Sequence, residues 1–210
     1  MTERPILFSG GMVKSILEGR KTQTRRVVKG QALAWCDQFV SEFIASPANH
    51  LSPYGYPGDR LWVRENGWER PERTARMMRE GADTWRPYYY DADGETGNDL
   101  KGWGFKRRPS IHMPRWACRL VLEVNGVRVD RLQAITGKDI IAEGAVLRAH
   151  DDQFGHNPVS SFDGKCYLDL VSLWAAGWDS INAKRAPWAS NPWVWVIEFQ
   201  RVLKLSQEAT

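Results

Sequence analysis

Apolar residues in this chain come in short, sharply bounded runs whose period changes several times. Residues 5–8 (PILF) read as a first strand, ended by a turn at Gly10 and Gly11. Over residues 12–19, Met12, Val13, Ile16 and Leu17 fall on one helical face, and Gly19 stands where a helix end takes a left-handed residue. Residues 30–57 show little periodicity and read as a long loop. Residues 57–65 (PGDRLWVRE) give a turn and then a strand. Leu61 and Val63 alternate there with Trp62 and Arg64, so one face is buried and the other aromatic and basic.

Residues 69–110 are charged and turn-rich, and the stretch 66–110 is expected to be an insertion or mobile flap on a single domain spanning residues 1–210. From 115 the pattern sharpens. RWACRLVLEVNGVRVDRL reads as one long strand, or as two broken at the hairpin signal Asn125-Gly126. Thr136 is placed to cap a helix, with Asp139 at its third position and Ile135 and Ile140 set as a hydrophobic staple. That helix runs to about Glu143, with Gly144 at its end. Residues 148–165 form a polar loop. Val171, Trp174, Trp178 and Ile181 then recur at helical spacings, and NPWVWVIEFQRVLKL is a strand whose Trp193 and Trp195 share one inward side. Strands at the start, middle and end with helices between them give an α+β fold. Strand edges need cover, and a small mixed β-barrel with helices packed at its openings supplies it, although periodicity alone allows other α+β arrangements.

The 210 residues are 42% hydrophobic, enough for a real core and too apolar for disorder. Lys and Arg number 29 against 25 acids, a net charge of +4 that permits a polyanionic partner without demanding one. Local clustering matters more. Residues 19–26 (GRKTQTRR) hold Arg20, Lys21, Arg25 and Arg26 with Thr22 and Thr24. Eleven Trp residues serve cores and also build platforms for bases. Cys36, Cys118 and Cys166 are widely spaced with no CxxC pair, which argues against a zinc site or disulfide framework and suits a cytoplasmic chain. No signal-peptide core and no apolar run of about 18 residues occurs, so no membrane contact is expected. His50, His112, His150 and His156 lack ligand spacing, so no metal is expected, and a solvated turn accounts for His150 beside Asp151 and Asp152. Without a P-loop, GxGxxG or GxSxG, nucleotide triphosphatases, dinucleotide dehydrogenases and α/β-hydrolases are disfavoured, and no cofactor is expected.

Several side chains are candidate ligand contacts. Arg25 and Arg26 suit bidentate phosphate binding, or are solvated surface charge. Arg64 and Glu65 end a strand beside the expected cleft, where Arg64 binds phosphate or pairs with Glu65 or Glu143. Arg115 and Trp116 grip a base by stacking, or Trp116 plugs the barrel. Trp174 and Trp178 read as core. Ser190 and Asn191 precede the last strand and are placed to read a base edge. KGWGFKRRP combines cations with aromatics, as a single-strand-binding segment or a disordered loop.

GRKTQTRR after a short helix, PGDRLWVRE, and the closing strand PWVWVIEF together resemble the ASCH domain family, relatives of the PUA domain. HMPRWACRLVLEV and the helix IIAEGA resemble its larger phage and prophage subgroup. The resemblance covers most of the chain, with residues 66–110 and 148–165 outside the compact core. It implies a PUA-like pseudo-barrel whose cleft faces the GRKT loop, and binding of RNA, single-stranded nucleic acid or a nucleotide, with Arg20 among the cations at the loop. Small members resemble amidohydrolases that remove an acyl group from N4-acetylcytidine. Carried over, their working groups fall on Lys21, Thr24 and Glu143. A threonine hydroxyl needs a base to become nucleophilic, and a lysine serves only if burial or neighbouring cations lower its pKa. Glu143 would orient the lysine or pass a proton to the leaving amine, while raising the lysine's pKa. Nucleic-acid or nucleotide binding is therefore the first expectation, hydrolysis of a modified nucleoside the second, and a phage-encoded protein-interaction domain with a Trp-rich surface the third.

Overall fold

The computed structural model describes residues 1–70, 86–94, 97–145 and 169–202; the loop expected at 148–165 and Cys166 lie outside them. In chain order the elements are β1 (Glu3–Leu7), α1 (Gly10–Leu17), β2 (Gln23–Val27), α2 (Gly30–Trp35), α3 (Ser41–Ile44), β3 (Arg60–Arg64), β4 (Gly67–Glu69), β5 (Tyr88–Tyr90), α4 (Gly97–Gly102), β6 (Lys106–Arg108), β7 (Val121–Arg131), α5 (Gly137–Ala142), α6 (Leu170–Asn182) and β8 (Trp193–Arg201). The architecture is mixed α+β with two sheets. A five-stranded sheet runs β1-β3-β7-β8-β2, and a three-stranded sheet runs β5-β4-β6.

Among the described residues only β1 and β3 pair in parallel; the other pairs are antiparallel. β1 and β2 are the two edges of the large sheet, and among the described residues no ladder joins them into a closed barrel. Each edge is managed locally. Arg60 N donates to Thr2 O and Phe8 N to Arg64 O, so Pro5 sits on the alternate register, and the N–H it lacks falls on the free side. Across the opening, Arg26 Nη2 donates to Leu7 O at 2.6 Å, so one guanidinium spans from one edge to the other.

β8 is covered on both faces, which is why its run from Val194 to Ile197 is apolar without alternation. Trp195, Ile197 and Phe199 pack with Ile6, Val13, Leu61 and Leu122 in the main core, whereas Val194 and Val196 pack with Leu132 and Trp178 under α6. Leu61 and Val63 are fully buried as their alternation requires. β7 is one strand of 11 residues. The Asn125-Gly126 pair makes no hairpin; the register shifts there as a bulge, and a Cβ on Gly126 would lie 3.0 Å from Glu198 Oε2.

The stretch 30–57 is more ordered than its sequence suggests. α2 and α3 have no side-chain caps, and stacked rings of Trp35, Phe39 and Phe43 tie them together. Within 66–110, β4, β5 and β6 form the small sheet. Gly67 is obligatory in it, because a Cβ would lie 2.2 Å from the Tyr88 ring and 2.3 Å from Tyr89 O. The same segment buries Tyr88 and Phe105; residues 71–85 and 95–96 lie outside the described ones. α5 starts with the expected capping box, Thr136 and Asp139 each serving the other's backbone. α6 buries Leu173 and Trp178, while Ile181 is 62% exposed, so its contact stripe is rotated from the expected one. Among the described residues no helix is long and apolar enough to cross a membrane.

Candidate functional site

The segment 20–22 crosses between the end of α1 and the end of α5 and is held by both. Arg20 N and Lys21 N donate to Ser15 O at 2.9 and 3.1 Å, and Thr22 N donates to Ala142 O at 2.8 Å. The last carbonyls of α5 take cations, as helix C-termini favour: Lys21 Nζ donates to Glu143 O at 2.9 Å and Arg20 Nη1 to Gly144 O at 2.8 Å. Gly144 adopts φ +95°, and a Cβ there would come within 3.0 Å of Lys21 Cβ. The turn that ends α5 is therefore what admits Lys21.

Glu143 is the hub. Its Oε2 lies 2.7 Å from Lys21 Nζ and its Oε1 3.2 Å from Arg25 Nη1. Arg25 Nη2 lies 3.2 Å from Asp139 Oδ2, and Arg128 Nη2 donates to Asp139 Oδ1 at 2.9 Å. The side chains of Lys21, Arg25 and Glu143 are only 2%, 1% and 8% exposed. Asp139 and Glu143 reach the same guanidinium because a spacing of four puts both on one helix face. Burial lowers the Lys21 pKa; Glu143 opposes this, and Arg26 and Arg25 add to it. Burial likewise lowers that of Arg26.

Pairing with β8 sorts β2's side chains. Arg25 lies opposite Val196 and faces α6, its Cζ 5.8 Å from the Trp174 ring centroid. Thr24 and Arg26 lie opposite Ile197 and Trp195 on the core side, with Arg26 Cζ 5.0 Å from the Phe8 centroid. The main-chain N–H and C=O of Arg25 and Val27 point away from β8 toward the sheet's open edge, since Thr22 and Val28 hold the hydrogen-bonded register with β8.

A cavity of about 440 Å³ opens along that edge, between α1, β2, the end of α5 and α6. Lys21, Thr24 and Glu143 all line it, as do Arg20, Arg25 and Arg26. Met12, Leu173, Trp174 and Ile181 form its apolar wall. Both carboxylate oxygens of Glu143 are engaged, while Arg25 Nε and Arg26 Nε have no hydrogen-bond partner. The polar side of the cavity is thus mainly cationic, with Arg20, Lys21, Arg25 and Arg26 along it.

The remaining candidates lie elsewhere. Arg64 pairs with neither Glu65 nor Glu143; it donates to Ile111 O and covers Trp62, its Cζ 5.3 Å from the ring centroid. Glu65, next in the chain after β3, is 1% exposed and takes a bidentate contact from Arg119 at 2.9 Å. Burial raises its pKa and Arg119 opposes that. Arg115 pairs with Glu3. Trp116 plugs nothing: it is 58% exposed, its ring edge-on to Tyr88. Asn191, at φ 43°, accepts from Gln133 N at 2.8 Å and so holds a turn. Among the described residues no His, Cys, Asp and Glu cluster suits a metal ion, and Cys36 and Cys118 are buried free thiols. In the basic segment 101–109, Arg107 packs over Trp68 and Phe105 is buried.

Three residues of the site were not singled out from the sequence: Asp139 was read only as a cap, Trp174 only as core, and Phe8 only as part of a strand. The spacing of Asp139 to Glu143 carried the signal for the first. Comparisons of the chain with protein-family models, with curated proteins and with solved structures find no match.

Asp139 yields a pH prediction. Burial would raise its carboxyl, but hydrogen bonds from Thr136 and the charge of Arg25 outweigh it and bring the pKa from 3.8 down to about 2. A depressed carboxylate stabilises the fold above its unfolded pKa, and that contribution disappears as pH falls through the folded value. Between pH 4 and pH 2 the protein is expected to lose about 2 kcal/mol through this group. Asp139→Asn should be less stable at neutral pH and flatten the stability–pH curve in that window, as read by urea denaturation.

Proposed function

We propose that the cavity at the open edge of β2 binds a nucleotide, alone or at the end of a single strand, in a domain of the ASCH type whose large sheet curls as a PUA-like pseudo-barrel. The observation that carries the reading is a cavity that pairs an indole wall with the guanidiniums of Arg25 and Arg26. Trp174 offers an aromatic surface to a base, and Arg25 and Arg26 meet carbonyl or phosphate oxygens. Size favours one nucleotide over a duplex, since about 440 Å³ is in the range of small-ligand sites.

Titration calorimetry with cytidine 5′-monophosphate tests this. Saturable 1:1 binding is expected, weakening with salt and at least about tenfold weaker in Arg26→Gln, a contact worth some 1.4 kcal/mol or more. Heats at the blank level at every salt concentration would remove the reading.

One contact favours catalysis as a second reading: Lys21 Nζ sits 2.7 Å from Glu143 in a site whose burial favours the neutral amine. On an N4-acylated cytidine, the Thr24 hydroxyl attacks the amide carbon as Lys21 takes its proton. The C–N bond then breaks, Glu143 relays that proton to the leaving amine, and water cleaves the acyl-threonine. Deacylation of N4-acetylcytidine followed by absorbance should fall about 1000-fold or more in Thr24→Val. Turnover persisting in both Lys21→Ala and Thr24→Ala contradicts these roles.

A further inference from the structure

We propose that the bound strand continues out of the cavity over the outer face of β1 and β3, so that the preferred ligand is a single-stranded oligonucleotide rather than a free nucleotide. This rests on the cavity being a nucleotide site.

The path is contiguous. Arg26, at the cavity, donates to Leu7 O. Leu7 pairs with Arg64 across the β1–β3 ladder. Ile6, Leu61 and Val63 point into the main core, so Leu7, Trp62 and Arg64 lie on the opposite face, where Trp62 packs partly against the cluster of Tyr88, Met113, Ala117 and Cys118 and Leu7 is exposed. The Arg64 and Arg115 guanidiniums sit 5.3 and 5.6 Å from the Trp62 ring centroid. Trp62 is thus a positioning residue that holds two cations side by side. Trp116 follows Arg115 and presents an indole that is 58% exposed.

Charge and occupancy fit a strand of phosphates. Along the path Arg115 pairs with Glu3, and Arg64 donates to the Ile111 carbonyl. The Arg115–Glu3 pair is open to water, with side chains 51% and 37% exposed, so exchanging that carboxylate for a phosphate costs little. An acidic peptide would use the cations but leave the exposed indole idle, whereas an unpaired base stacks on it. Arg64, Arg115 and Trp116 do not line the cavity, so cavity and track are separable by mutation.

The test compares cytidine 5′-monophosphate, by calorimetry, with a labelled eight-nucleotide oligomer, by fluorescence anisotropy, in the wild type and in Arg115→Gln/Trp116→Ala. Both substituted side chains are exposed, and an unchanged melting temperature checks the fold; Arg64→Gln is the second variant. The oligomer should bind at least about tenfold tighter than the mononucleotide, and each variant should lose about tenfold for the oligomer with a shallower salt slope. Mononucleotide affinity should not change. An oligomer no tighter than the mononucleotide, or indifferent to both variants, overturns the track, as does equal competition by polyglutamate of the same length. Track-dependent oligomer binding with no mononucleotide binding overturns the cavity reading instead, and with it the claim that the strand starts there.

Discussion

Glu143→Ala is expected to cost about 3–5 kcal/mol of stability, because it leaves Lys21 buried without its carboxylate and strips Arg25 of one of its two. The attraction within such a cluster offsets a large desolvation cost, and removing one partner leaves the cost and takes away the offset. Adding Lys21→Met should recover part of the loss, since an apolar side chain of similar length has no charge to bury. Guest binding should not return, as Arg25 would still have lost its anchor. Urea midpoints of the single and double variants measure both effects. A loss below about 1 kcal/mol would mean the cluster is solvated, the behaviour of surface ion pairs.

Trp178→Ala should cost a similar amount, about 3–5 kcal/mol, through the cavity left under α6. Trp178 is 7% exposed, packs with Leu132, Val194 and Val196, and donates its indole N–H to Ala186 O at 2.7 Å. Trp178→Phe keeps an aromatic ring in place but loses that bond and part of the buried ring, for a smaller cost of about 1–3 kcal/mol. The functional consequence reaches Trp174, whose ring stacks on Trp178 with centroids 5.4 Å apart. Without that support Trp174 no longer presents a fixed wall, so guest affinity should fall in Trp178→Ala even where the protein remains folded. Comparing melting curves and guest affinity across the two variants separates packing from positioning.

Elements specified by local chemistry were the legible ones. The capping box at Thr136 and Asp139, the left-handed Gly19 and Gly144, and the alternation in β3 all act within a few residues, and a single sequence displays such signals. Asn125-Gly126 was ambiguous because bulge and hairpin use similar residues, and the choice depends on Glu198 across the ladder. α2 and α3 were invisible: they are four to six residues long, uncapped by side chains, and held by a ring stack. The site divides the same way. Lys21 and Glu143 are 122 residues apart, and only resemblance to a family joined them beforehand. Arg64 ends β3 and Glu65 follows it directly in extended chain, so adjacent side chains there point to opposite sides. Assigning both to one cleft ignored that alternation, and the structure puts one on the outer face and one in the interior.

The measurement that addresses the account most directly is a crystal structure of the protein grown with cytidine 5′-monophosphate. The account predicts the nucleotide along the open edge of β2, its oxygens within hydrogen-bond distance of Arg25 or Arg26 and its base against Trp174. A nucleotide seated away from this edge, with the cavity filled only by water, would contradict it.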